Sequence, residues 1–147
     1  MPLKNPKIAL ITILTDNMSR MLKFYQNTLG FKVQSKLEEY VEFESDEVRF
    51  ALCSRKIMEK ATGNREYKEK PAGHSFELAF PLETPQDVDD KYKELVDGGA
   101  KPIKPPADMP WGQRTAFFAD PDGNIHELFS NRSEEHTSEL QSLLIIS

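Results

Sequence analysis

With 147 residues, 19 basic and 24 acidic side chains, the chain has room for one compact domain at a formal net charge of −5. No stripe of Lys and Arg interleaves with aromatic residues, so nucleic acid is excluded as a partner class, and no apolar run approaches the length of a membrane span. The lone cysteine, Cys53, excludes an intrachain disulfide and fits a reducing, cytoplasmic setting, and the opening residues Met1 to Lys7 lack a signal-peptide layout.

The far end reads differently from the rest. Arg132-Ser-Glu-Glu-His-Thr-Ser-Glu-Leu-Gln-Ser142 matches the in-frame translation of a common sequencing-library adapter. Residues 132–147 are therefore set aside from fold reasoning as an artefactual tail, and His136 with them. Removing one Arg and three Glu leaves 18 of the 19 basic and 21 of the 24 acidic residues, a balance of −3. The expected unit is a single domain over residues 1–131.

The first apolar run, Ile8 to Leu14, leads into a helix expected over Asn17–Thr28. Asp16 or Asn17 can cap it, Met18, Met21, Leu22, Tyr25 and Leu29 recur along one face, and Gly30 supplies the left-handed turn that ends it. Strands are expected over Phe31–Leu37, Tyr40–Glu44 and Val48–Cys53, with Cys53 packing as a small hydrophobe. Arg55 to Lys70 is charged and reads as a solvated linker with a helical turn near Lys56–Ala61, or as a lid.

The order then recurs. A strand is expected over His74–Phe80, followed by a helix with Thr84 as N-cap, Pro85 at its first position and Asp87 in its first turn. Val88, Tyr92, Leu95 and Val96 form its buried stripe, and Gly98-Gly99 closes it. A short strand Ala100–Ile103, a proline-rich loop to Gln113, the strand Arg114–Ala119, an Asp120-Pro-Asp-Gly123 reversal and the strand Asn124–Ser130 complete the pattern.

Each half thus reads βαβββ, module one over residues 7–54, a linker over 55–73 and module two over 74–131. Halves of roughly fifty residues are too small to bury a good core alone, so the modules should pack together. The expected class is α+β: two mixed sheets forming a partly closed barrel with the helices on the outer face. Its concavity is the default site for a small ligand.

Thr15-Asp-Asn-Met-Ser-Arg-Met-Leu-Lys-Phe-Tyr-Gln-Asn-Thr-Leu-Gly-Phe31 resembles the first-module signature of the glyoxalase/bleomycin-resistance/dioxygenase (vicinal oxygen chelate) superfamily. Pro110-Trp-Gly-Gln-Arg114 through Asp120-Pro-Asp-Gly-Asn-Ile-His-Glu-Leu128 resembles its second-module ending. The resemblance covers about Lys7 to Asn131. It implies a small polar or aromatic ligand, a homodimer, and either metal-dependent lyase, isomerase or dioxygenase chemistry or metal-free sequestration of a drug, as in bleomycin resistance. Fold does not choose between them.

For a metal, the resemblance implies His74 near the start of a module's first strand and Glu127 in its last strand, holding Mn, Fe, Ni or Zn. Glu127 would then also be the catalytic carboxylate that moves a proton. The first module offers Leu10 and Phe50-Ala51-Leu52 at the corresponding places. Two protein ligands fall short of the usual three, which leaves Glu77 or Gln113, a second subunit, or no metal at all. From the residues themselves, Glu127 alternates with Ile125 and Phe129 on a strand, so it faces a cavity or lies at an exposed edge, and His126 faces the other way. Trp111 and Arg114 flank a loop entering the cavity region and are candidate ligand contacts.

Overall fold

In a computed structural model, residues 4–132 are described here, so the expectation for the tail over 133–147, His136 included, falls outside the described residues. The chain divides into two compact units at Ala72/Gly73. In the first unit, β1 (Leu10–Thr15) runs into α1 (Met18–Lys23), and β2 (Val33–Leu37), β3 (Tyr40–Phe43) and β4 (Arg49–Ser54) follow. Asn17 caps α1 by accepting the Arg20 N–H at 3.3 Å. The helix then widens into a π turn over Phe24–Thr28, with the Leu29 N–H reaching the Phe24 carbonyl at 2.9 Å. Tyr25, fully buried, lies in an aromatic cluster with Phe31, Phe43 and Phe50, whose ring centroids are 5.1 to 6.3 Å apart. That cluster is the core of the unit.

The charged segment after β4 is more ordered than a linker. Ser54 accepts the Ile57 N–H and caps α2 (Arg55–Thr62), which ends on Gly63 at φ 74°, and a 3-10 turn follows over Arg65–Lys68. Its charge pattern hid the caps at both ends.

The second unit contains β5 (Ala79–Pro81), α3 (Pro85–Asp97), β6 (Lys101–Asp108), β7 (Gln113–Ala119) and β8 (Ile125–Asn131). Thr84 and Asp87 form a reciprocal capping box at the start of α3, each backbone N–H bonded to the other's side chain at 3.1 Å. Two expectations are corrected. The strand expected from His74 pairs only over Ala79–Pro81, so His74 stands exposed on irregular chain five residues ahead of it. The expected proline-rich loop is largely β6, an edge strand through Pro102, Pro105 and Pro106 with two register shifts. An edge strand tolerates prolines because one side of it needs no N–H.

The strand orders are β1-β4-β3-β2 and β5-β8-β7-β6, the same mixed topology twice. In each, the first strand lies parallel to the last and the remaining pairs are antiparallel. Among the described residues the ladders make two open four-stranded sheets rather than one closed barrel ladder. The helices α1 and α3 each pack on the sheet of their own unit. No helix among them is long and apolar enough to cross a membrane.

The β7–β8 reversal is fixed by Asp120. Its carboxylate, 3% exposed, accepts the N–H groups of Asp122 (3.0 Å) and Asn124 (2.9 Å) and the Asn124 amide (2.9 Å), while Gly123 takes φ 91°. Losing a buried carboxylate that satisfies three donors should cost about 2–3 kcal/mol in D120A, measured by denaturant unfolding, whereas D122A, lacking such bonds, should stay within about 0.5 kcal/mol of wild type.

Candidate functional site

Strand β8 decides where the candidate residues point. Arg114 on β7 donates to Asp89 of α3 at 2.8 Å, so it marks the helix-facing side of the second sheet. Alternation puts Ala116 and Phe118 on that side too, and their register partners on β8, Leu128 and His126, are buried with them. His126 is fully buried, its Nδ1 accepts the Leu78 N–H at 3.1 Å, and its Nε2 lies 3.7 Å from Asp120. Glu127 must therefore face away from α3. It is the central residue of that side, opposite Ala79 on β5 and Phe117 on β7, with Ile125 and Phe129 two residues to either side.

A carboxyl in this setting is poorly solvated. Burial, and next the negative charge of nearby Glu77, lift the Glu127 pKa from 4.5 to about 7. Glu77 comes two residues before Ala79, and the Leu78 peptide between them is clipped by β8, its carbonyl accepting the Glu127 N–H at 2.9 Å. The same side of β7 holds Thr115, paired opposite Phe129. Thr115 is fully buried and its Oγ1 has no hydrogen-bond partner. A buried hydroxyl without a partner is costly and rare. At the end of this side, the Trp111 indole donates to Gln113 at 3.1 Å and the Gln113 amide donates to Asn131 at 3.3 Å.

The sequence candidates separate accordingly. Glu127 sits at the centre of the face, and Trp111 is tied to its end through Gln113. Arg114 lies on the opposite side of the sheet, held by Asp89 and by Asp108 at 2.9 Å, and these pairs raise its pKa. The rim contact expected of Arg114 is thereby taken up by α3 and β6. Arg132, counted with the tail in the sequence, donates its N–H to the Gly112 carbonyl at 3.0 Å. His74 does not join a ligand set: among the described residues no three His, Cys, Asp or Glu side chains gather as a metal site. Glu127 and Glu77 supply two carboxylates and no imidazole, a donor set that does not fit the His–carboxylate centre. Thr115 and Phe117 were missed by sequence reading, although stepping in twos along β7 from Ala119 reaches both.

The first unit answers the same positions differently. Ala51 pairs with Thr12 as Glu127 pairs with Ala79, and Leu10 precedes Thr12 as Glu77 precedes Ala79. Its carboxylate sits one strand over, on Glu42, which accepts Arg49 Nε and Nη2 at 2.7 and 2.8 Å and the Tyr40 hydroxyl at 2.9 Å. Those hydrogen bonds, Arg49 first, pull the Glu42 pKa down to about 2. A surface groove of about 480 Å³ in this unit is walled by Arg55, Asn64, Glu66, Tyr67, Glu69 and Lys70, a charged lining unlike the apolar surroundings of Glu127.

A family model for the glyoxalase/bleomycin resistance protein/dioxygenase superfamily matches residues 7–128. The chain belongs to that superfamily. It is 34% identical over 128 residues to the protein YraH of Bacillus subtilis (strain 168), covering 84% of this chain and 97% of YraH. A glyoxalase/bleomycin resistance protein/dioxygenase from Nocardioides superposes with a TM-score of 0.80 at 27% identity, over 92% of this chain and 89% of its own. A lactoylglutathione lyase from Agrobacterium tumefaciens shares the fold, with a TM-score of 0.67 at 20% identity over 86% and 96% of the two chains.

The raised pKa of Glu127 has a sign. Between pH 4.5 and about 7 the folded chain holds this proton more tightly than the unfolded chain, so this group's contribution to stability falls as pH rises through that window. E127Q should melt higher than wild type at about pH 8.5, and the gap should close at about pH 4. Melting curves of both proteins across that range check it.

Proposed function

We propose that this superfamily member binds a small polar or aromatic molecule on the face of the second sheet that carries Glu127, with that carboxyl as the recognising group. The observation that carries the reading is a half-buried carboxyl among Ile125, Phe117 and Phe129, on the side of the sheet turned away from its helix. Apolar walls with a few placed polar groups are the common composition of small-molecule sites. A carboxyl poised near neutrality can also give or take a proton at physiological pH.

Metal-free recognition of the bleomycin-resistance type is the form that the donor set favours. His74 is exposed and Glu77 is the carboxylate nearest in register to Glu127, so a divalent ion would find two carboxylates in place of a His-containing set. Metal-assisted lyase, isomerase or dioxygenase chemistry is the competing form. In either form the protein acts as a homodimer in the cytoplasm.

Thermal melts of the full chain separate the forms. Under this reading a chelator leaves the melt unchanged, while a ligand at a hundredfold its Kd stabilises the wild type by about 2.7 kcal/mol. H74A keeps that ligand-induced shift and E127A loses it. Near-stoichiometric Mn, Fe, Ni or Zn, lost in both H74A and E127A, would replace it with the metalloenzyme reading. A ligand shift undiminished in E127A would remove the site from this face altogether.

A further inference from the structure

We infer that the Glu127 face takes an organic carboxylate on an aromatic body. The ligand lies across the strands, its anion at Lys104 and Lys101, its ring over Phe117 and a further polar atom at Glu127. The inference rests on the proposed function and names the ligand class for that same site.

The ladders lay the face out as a grid. One row crosses the whole sheet: Ala79 on β5, Glu127 on β8, Phe117 on β7 and Lys104 on β6. The row to one side carries Ile125, Ala119 and Lys101, and the row to the other carries Pro81, Phe129, Thr115 and Ala107. Register partners share a side of a sheet, so both lysines stand on the Glu127 side, along one flank. The face thus runs from a basic edge, across an aromatic and aliphatic floor, to one carboxyl beside the small side chain of Ala79. Adjacent strands lie about 4.8 Å apart, so the backbones of Lys104 and Glu127 are roughly 10 Å apart with Phe117 between them. One ring with a short acid arm fits that interval.

The basic edge is not explained by the fold alone. Neither Lys101 nor Lys104 has an ion-pair partner among the described residues, whereas Arg49, Arg55 and Arg114 each hold a carboxylate. Lysines on an edge strand commonly guard it against pairing, but Pro102, Pro105 and Pro106 already remove N–H groups from β6. The first sheet shows that the topology does not require them. Its corresponding row is Ser35, Glu42, Ala51 and Thr12, with no basic residue.

The other charged groups agree with an anion at this edge. On the approach to β5, Glu77 is exposed; β7 places no charge on this side, and His126 and Arg114 lie on the opposite side. Below a pH of about 7 the Glu127 carboxyl is neutral, so it donates a hydrogen bond to a bound acid instead of repelling it. An organic ammonium would meet two lysines along the flank. A neutral aromatic would use the floor and leave both lysines without a counter-ion.

The test uses three probes of related shape: hydrocinnamate, phenethyl alcohol and phenethylammonium, which are anionic, neutral and cationic. Each is titrated into the full chain while heteronuclear NMR follows Lys104, Phe117, Glu127 and Phe129. Hydrocinnamate should bind this face most tightly, about fivefold weaker in K104M and about tenfold weaker in the K101M/K104M double variant. Phenethyl alcohol should bind all three proteins alike, which separates a lost charge from a lost fold. Hydrocinnamate affinity should also fall as pH rises through about 7, and E127Q, which keeps a donor without titrating, should remove that fall. Equal or tighter binding of the alcohol or the ammonium, or a hydrocinnamate affinity unchanged in K101M/K104M, would overturn the carboxylate assignment and leave the face a binding site. Failure of all three probes to perturb the face would overturn the assignment together with the reading it rests on.

Discussion

The constraint on which the structure depends is the two-residue alternation of β8, locked from both sides. β5 pairs with it in parallel and β7 in antiparallel over seven consecutive partners with no bulge, so no residue of β8 is free to change face. A one-residue slip would bring Glu127 under α3 and turn His126 outward. Instead His126, Leu128 and Ser130 are buried on the helix side, while Ile125, Glu127 and Phe129 stay half exposed. The Arg114–Asp89 bond and the Asp120 turn hold the same register from the neighbouring strand and from the connecting loop.

The duplicated topology lets the chain be compared with itself. Both units build a first strand parallel to a last strand and present one glutamate on the face away from the helix. In the first unit Glu42 is nearly fully buried and bonded by a bidentate guanidinium and a phenol, which stabilise its charge. In the second, Glu127 is surrounded by apolar side chains and a like charge, which disfavour its ionised form. One scaffold therefore yields a satisfied structural carboxylate and a poised one. The difference lies in which neighbours the strands bring alongside.

Much of this was legible in the sequence because it is local. The cap at Asn17, the Thr84–Asp87 start of α3, the Asp120-Pro-Asp-Gly123 reversal and the opposite facing of His126 and Glu127 all follow from spacing a few residues long. What stayed hidden depends on pairing. Pro105 and Pro106 read as a loop until β6 is known to be an edge strand. His74 read as the start of a strand, but β8 offers parallel partners only from Ala79 to Pro81. Arg114 looked free for a ligand because Asp89 lies 25 residues away on a helix. The lack of a partner at Thr115 is a property of the packed interior and has no sequence signature.

The central claim is that packing leaves one carboxyl, that of Glu127, poised among Ile125, Phe117 and Phe129 on the sheet face turned away from α3. It is tested most directly by following the Glu127 side-chain carboxyl by carbon-detected NMR through a pH titration of the full chain. The account predicts a midpoint at about 7. A midpoint at the ordinary 4.5 would mean that the carboxyl is solvated like a surface residue, and would contradict the account.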